Sequence, residues 1–232
     1  NGAVKGFQRV YHGGAMIPTI QGNREHRRQL FESNVVGTRH VLEAAQVHGV
    51  ARVVVTGSFS AVGHHLDDPS APSDESVPFY PFHRAMPYEQ TKVLTELECL
   101  RAVARGLDVV VATSSAILGG NDFVPSRMGQ TLCDFANSRL RAYVPGGLEF
   151  GSARDIVSGH LLAMSRGRTG EKYIFSTRFA TLDEIVGLFE RVTGVPRPGW
   201  RLPAVVMGAF AEIASPFLSQ FFPNVRQRLT PG

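Results

Sequence analysis

Arg52-Val53-Val54-Val55-Thr56-Gly57-Ser58 is the stretch that decides the fold class. Its three valines are consecutive and do not alternate with polar residues. A strand wetted on one face alternates. A strand covered on both faces reads as an unbroken apolar run, as parallel strands between helical layers do. Asp108-Val109-Val110-Val111-Ala112-Thr113-Ser114 repeats the pattern. Between the two runs a helix is predicted from Pro87 to Arg105, ended by Gly106. Upstream, Leu30, Val35, Val41, Leu42, Ala45 and Val47 form a stripe near helical period, which predicts a helix from Arg27 to His48 with Gly49 as its stop. Before that, Phe7 to His12 reads as a short strand ended by Gly13-Gly14. Strand, helix, strand, helix, strand is the order of an α/β protein with a doubly wound parallel sheet.

Beyond Gly120 the pattern loosens. Helices are predicted from Ser126 to Ser138 and from Asp155 to Arg166, and strands from Leu140 to Val144 and from Lys172 to Ser176. Thr181 and Glu184 have capping-box spacing ahead of a helix that ends at Gly194. The expected division is a sheet-forming core over 1–122 and 152–176, with a smaller substrate-binding region over 123–151 and 177–232. Residues 61–87 are rich in Pro, Asp, Ser and His, and a polar loop of that length in a compact domain usually serves function.

Bulk properties narrow the classes. The net charge is +4 with no basic block, so a nucleic-acid partner is not expected. Cys99 and Cys133 sit in apolar helical patterns and read as buried free thiols of a reducing compartment. The most apolar stretch, Pro203 to Phe222, is interrupted by Glu212 and Pro216, which makes it a poor membrane span. With no leader at the N-terminus, the expected location is cytoplasmic. His64, His65, Asp67 and Asp68 lack zinc-ligand spacing, and no metal is expected. His160 lies on an apolar helix and reads as a satisfied core histidine.

Chemistry enters at Tyr88-Glu89-Gln90-Thr91-Lys92. Tyr88 and Lys92 are four apart, on one helix face. A phenol is a weak acid near neutrality, and a neighbouring ammonium favours its ionised form. Such a pair is suited to passing a proton to or from a substrate oxygen. Ser58 closes a buried strand at the edge where open α/β sheets place their ligand crevice. Taken alone, the pair also reads as a solvated helix face, and Ser58 as a residue satisfying loop backbone. Phe79, Tyr80, Phe82, His83 and Met86 precede this helix, and Met128 follows on the next one. They line a substrate pocket or pack the long loop. Phe210, Phe217, Phe221 and Phe222 roof such a pocket, form a dimer face or meet a membrane surface.

These segments, in this order, resemble the extended (atypical) short-chain dehydrogenases of the NAD-dependent epimerase/dehydratase family. Within it they are similar to the dihydroflavonol-reductase-like and 3β-hydroxysteroid-dehydrogenase-like branch. Val10-Tyr11-His12-Gly13-Gly14-Ala15 looks like the family's V-F-H-x-A-A, and Asn34-Val35-Val36-Gly37-Thr38 like N-V-x-G-T. Arg52 to Ser58 looks like R-V-V-x-T-S-S, Tyr88 to Lys92 like Y-x-x-S/T-K, and Ala153 to Val157 like V-x-D-V-A. The resemblance implies a Rossmann-type sheet with a smaller C-terminal substrate domain. It implies Tyr88 as acid/base, Lys92 as the group that lowers its pKa and holds the nicotinamide ribose, and Ser58 as the group that orients the substrate carbonyl. Asn34 would support a proton-relay water, with packing between helix and strand an equal reading. Gly14, Ala15, Thr56, Tyr88, Lys92, Ser115, Ala116 and Ile117 would meet the cofactor, NADP or NAD with NADPH preferred. Ser60, Phe82, Met86 and Met128 would meet the substrate.

Three departures stand out. The glycine-rich dinucleotide turn is absent, and the family carries it upstream of Asn1, so strand-helix units are expected to precede this sequence. Gly57 stands where many relatives have Ser or Thr. Thr113-Ser114-Ser115 replaces the usual N-P-x. The implied activity is reduction of a ketone, or oxidation of the alcohol, of a small apolar or aromatic molecule. The alternatives are a nucleotide-sugar epimerase or dehydratase with tightly bound NAD, and a non-catalytic NAD(P)-binding regulator. The partner is a small-molecule substrate, and a homodimer is compatible with the apolar C-terminal stretch.

Overall fold

The computed structural model describes residues 2–17, 23–68, 71–79, 82 and 85–201. Four strands form the main sheet: β1 (Arg9–His12), β2 (Arg52–Ser58), β3 (Val109–Ser114) and β7 (Lys172–Phe175). They lie in the order β1-β2-β3-β7, and every pairing is parallel. The register sets Val53 beside Val109 and Ser58 beside Ser114.

The valine runs are continuous because both faces are covered. On one face Val53, Val55, Val109 and Val111 pack with Leu42, Ala45 and Cys99. These last come from α2 (Gly37–Val47) and α3 (Pro87–Ala104). On the other face Val54, Val110 and Ala112 pack with Ala163 and Met164 of α5 (Ala153–Arg166). Val53, Val54 and Val110 are each fully buried, a contribution of about 1.5–3 kcal/mol per side chain. Gly49 and Gly106, after α2 and α3, have φ of +66° and +92°, so the two predicted stops fall where an L side chain would be strained.

The predicted helix of 27–48 is not uniform. α1 (Arg24–Phe31) is capped by Asn23, whose side chain accepts from the His26 N–H at 2.9 Å. A π-helical turn, Glu32–Val36, follows before α2 begins. Such turns cluster at functional sites, and this one carries Asn34.

After β3 the chain leaves the main sheet. β4 (Ala116–Leu118) pairs in parallel with β6 (Gly147–Ser152), which pairs antiparallel with β8 (Arg178–Thr181). Phe150, Ala180 and Ile185 form a small core there, joined by Met128, Leu148 and Phe189. Its helices are α4 (Arg127–Ala136) and α6 (Leu182–Thr193). The Thr181–Glu184 capping box is present: Thr181 Oγ1 accepts from the Glu184 N–H at 3.2 Å, and Glu184 Oε2 accepts from the Thr181 N–H at 2.8 Å. The expected strand of 140–144 is reduced to β5 (Ala142–Tyr143), paired with β9 (Trp200–Arg201).

One expectation is corrected. Cys99 is buried, and burial pushes its thiol up to about 12, but Cys133 is exposed. α4 turns Asp134 and Phe135 inward, which leaves Cys133 on the outer side. No helix of the described residues is long and apolar enough to cross a membrane. Pro203 to Phe222 and its aromatics lie outside the described residues, as do Tyr80 and His83.

Candidate active site

Pro87 opens α3, and Glu89 Oε2 accepts from the Met86 N–H at 2.8 Å, which fixes the first turn. That turn carries Tyr88, and the next carries Lys92. Lys92 is 6% exposed. Its Nζ donates to the carbonyl oxygen of Thr56 at 3.1 Å and lies 6.0 Å from the centre of the Tyr88 ring. Ser58, at the end of β2, is buried and faces the Tyr88 phenol, whose pKa it lowers. Ser58 Oγ also accepts from the Ser60 N–H at 3.2 Å. The phenol, the ammonium and the hydroxyl thus meet at the carboxyl ends of β2 and β3.

The electrostatics differ from the expectation that Lys92 lowers the phenol. Burial holds Tyr88 above its ordinary value, and the neighbouring Ser58 hydroxyl pulls the other way. Lys92 is itself lowered by burial, opposed at neutral pH by the Glu96 carboxylate, since the buried Cys99 thiol is uncharged there. For both groups desolvation is the largest cause of the shift, because Lys92 is buried and Tyr88 half-buried.

Gly14, Ala15, Asn34, Thr56 and Lys92 line one cleft together with His12. Asn34 is 1% exposed, and its carboxamide is fully engaged. Oδ1 accepts from the Met16 N–H at 2.7 Å, while Nδ2 donates to the Met16 carbonyl at 2.9 Å and to Thr91 Oγ1 at 3.1 Å. Thr91 Oγ1 in turn donates to the Tyr88 carbonyl at 2.7 Å. Asn34 therefore clamps the segment after β1 onto the helix that carries Tyr88.

Its own carbonyl accepts from Thr38 Oγ1 at 2.6 Å and from Thr95 Oγ1 at 3.2 Å. Because the Thr38 hydrogen is used there, Thr38 Oγ1 accepts from His12 Nε2–H at 2.9 Å, which assigns the tautomer of the neutral ring. Burial, and then Lys92, lower His12 below its ordinary 6.5. His12, Thr38, Thr91 and Thr95 escape sequence reasoning. The available signals are the i, i+4 spacings of Asn34–Thr38 and Thr91–Thr95.

At the neighbouring strand end the hydroxyls of Thr113, Ser114 and Ser115 are buried without a hydrogen-bond partner among the described residues. A Cβ on Gly57 would lie 2.5 Å from Thr113 Oγ1 and 2.9 Å from a methyl of Val111. The two departures at Gly57 and Thr113 therefore complement each other across the β2–β3 register. Ala116 packs toward the small core, and Ile117 is largely exposed. Among the expected substrate contacts, Ser60 lies on a 3-10 turn beside Ser58, Phe59–Ala61. Phe82 meets Phe79 edge-on at 6.5 Å, and Met86 caps α3. Met128 packs against the small core. His160 is held through both ring nitrogens: Nδ1 by the Ile156 carbonyl at 2.8 Å, and Nε2 by Thr56 Oγ1 at 3.0 Å.

A parallel sheet with helices on both faces, carrying a Ser-Tyr-Lys centre at its carboxyl edge, defines a Rossmann-type domain of the short-chain dehydrogenase kind. The chain belongs to the NAD dependent epimerase/dehydratase family, whose model matches residues 2–175. It is 40% identical over 222 residues to sterol demethylase protein B of Methylococcus capsulatus, covering 96% of this chain and 66% of that protein. It is 33% identical over 220 residues to a putative dihydroflavonol 4-reductase of Synechocystis, covering 93% of this chain and 63% of that protein. The crystal structure of gox2253 superposes with a TM-score of 0.79 at 28% identity, covering 98% of this chain and 67% of that one. The chain thus spans slightly less than two thirds of these curated relatives.

Proposed function

We propose that the protein carrying this chain is an NAD(P)-dependent oxidoreductase that interconverts a ketone and an alcohol, with Tyr88 as its acid/base. The observation that carries this reading is the meeting of buried Lys92, its Nζ 6.0 Å from the centre of the Tyr88 ring, with Tyr88 and the buried strand-end residue Ser58. The residues present fit the nicotinamide end of a dinucleotide. Lys92 offers ammonium donors, Gly14 and Ala15 offer backbone on the same cleft, and Ser114 and Ser115 hold buried hydroxyls in need of partners. When bound, the nicotinamide supplies or accepts the hydride.

The protein's own share is orientation and proton transfer. Ser58 holds the substrate oxygen against the phenol. Tyr88 gives its proton to that oxygen as negative charge develops there. A phenol held above its ordinary value stays protonated through neutrality, which suits the acid role in ketone reduction. Lys92 stabilises the phenolate left behind and holds the ribose. For the same direction of reaction we assign NADPH as the preferred form. An apolar, ring-containing substrate accords with the names of the two curated relatives.

The full-length protein, given NADPH or NADH and a cyclic apolar ketone, should consume one equivalent of reduced cofactor for each alcohol formed. Turnover of a nucleotide sugar with no net change in cofactor absorbance would instead establish the epimerase or dehydratase reading.

A further inference from the structure

One half-buried carboxylate near the centre has no part in the chemistry above. Glu96 follows Lys92 by one turn of α3, on the same face. Its Oε2 accepts from Lys172 Nζ of β7 at 3.2 Å. The side chains of this pair are only 18% and 17% exposed. Glu96 Oε1 is buried without a hydrogen-bond partner among the described residues. Lys92, Glu96 and Lys172 therefore form a row of alternating charge beneath the catalytic helix, running from the cleft to the edge strand.

An ion pair placed there is expensive. Desolvating a carboxylate costs several kcal/mol in real proteins, and replacing a buried pair with apolar residues is often neutral or better. Mere stability is a poor reason for it. A requirement for charge at Lys92 is a better one. Burial works against the ammonium, and Glu96 works for it. Glu96 is in turn pushed toward its neutral form by burial and held ionised by Lys172 and Lys92. The other groups facing this row are Tyr88 and Cys99 on α3, His12 on β1 and the Thr56 carbonyl on β2. Among these neighbours only Glu96 brings a negative charge at neutral pH, because the Cys99 thiol is pushed up to about 12.

We infer that Glu96 is a positioning residue which keeps the Lys92 ammonium charged and aimed at the cleft, with Lys172 on β7 holding the Glu96 carboxylate ionised. The activity arm of the test rests on the function proposed above; the titration arm does not.

The test uses the full-length protein labelled with 13Cε-lysine, with the Lys92 signal assigned by its loss in Lys92→Arg. In Glu96→Gln, Lys92 should lose its proton at lower pH than in the wild type. The ketone reductase activity should fall about tenfold near pH 9 while changing less than about threefold near pH 7. Glu96→Asp, which keeps the charge, should restore the wild-type profile. Lys172→Met should shift the Lys92 titration in the same direction as Glu96→Gln. It lies on an edge strand and provides the reading if Glu96→Gln does not fold. An unchanged Lys92 titration in the folded Glu96→Gln or Lys172→Met protein, whatever the melting temperature, overturns the inference and leaves the roles of Tyr88 and Ser58 intact.

Discussion

At the residue scale, environment decides what each group does more than residue type. Tyr88 and Lys92 are legible in the sequence as a pair four apart, and Ser58 as a strand end, but their protonation is not. The expected lowering of the phenol by its lysine gives way to burial, which raises Tyr88 and lowers Lys92. Ser58 is the group that pulls the phenol down. Ser58→Ala should therefore cut turnover about 100-fold, as loss of one donor to a developing charge does. It should also move the Tyr88 ionisation to higher pH, read from the pH profile of alcohol oxidation. A profile unchanged in position would show that Ser58 does not tune the phenol.

At the element scale, the chain uses a distorted helix to place one side chain. The π-helical turn Glu32–Val36 carries Asn34, which holds both backbone groups of Met16 and reaches Thr91 on α3. Asn34→Ala leaves those groups buried and unpaired, at about 1–3 kcal/mol. We expect a lower melting temperature, faster amide exchange at Met16 and weaker cofactor binding, with less effect on kcat. Equal exchange at Met16 in both proteins would remove the clamp from the account. The valine runs were readable because burial on both faces leaves a compositional mark. The capping box at Thr181 was readable because its partners are three residues apart. By contrast, β4, β6 and β8 are short, and β6 contains Gly147 and Gly151. Their pairing is set by contacts distant in sequence. The π turn leaves no local mark either, and the contact it serves, Asn34 with Thr91 on α3, joins residues distant in sequence. The complementarity of Gly57 and Thr113 becomes visible only once β2 and β3 are in register.

At the scale of the whole molecule, the family motifs converge. Segments 10–15, 34–38, 52–58 and 88–92 meet at one crevice although they are spread over the first half of the sequence. The network through His12 joins three of them and makes a prediction about stability. The folded pKa of His12 lies below its ordinary 6.5, so the unfolded chain binds the proton first. Stability is full above pH 6.5 and is lost as pH falls through the folded value. His12→Gln keeps a donor for Thr38 and should flatten the acid side of the melting-temperature curve; parallel curves would exclude His12 as a source of that slope. The central claim concerns Tyr88. Turnover of an apolar ketone by the full-length protein, compared with Tyr88→Phe under saturating cofactor, tests it most directly. The variant should bind NADPH as tightly as the wild type and lose about 100- to 10,000-fold in kcat. Turnover within a few-fold of wild type would mean that the proton comes from another group.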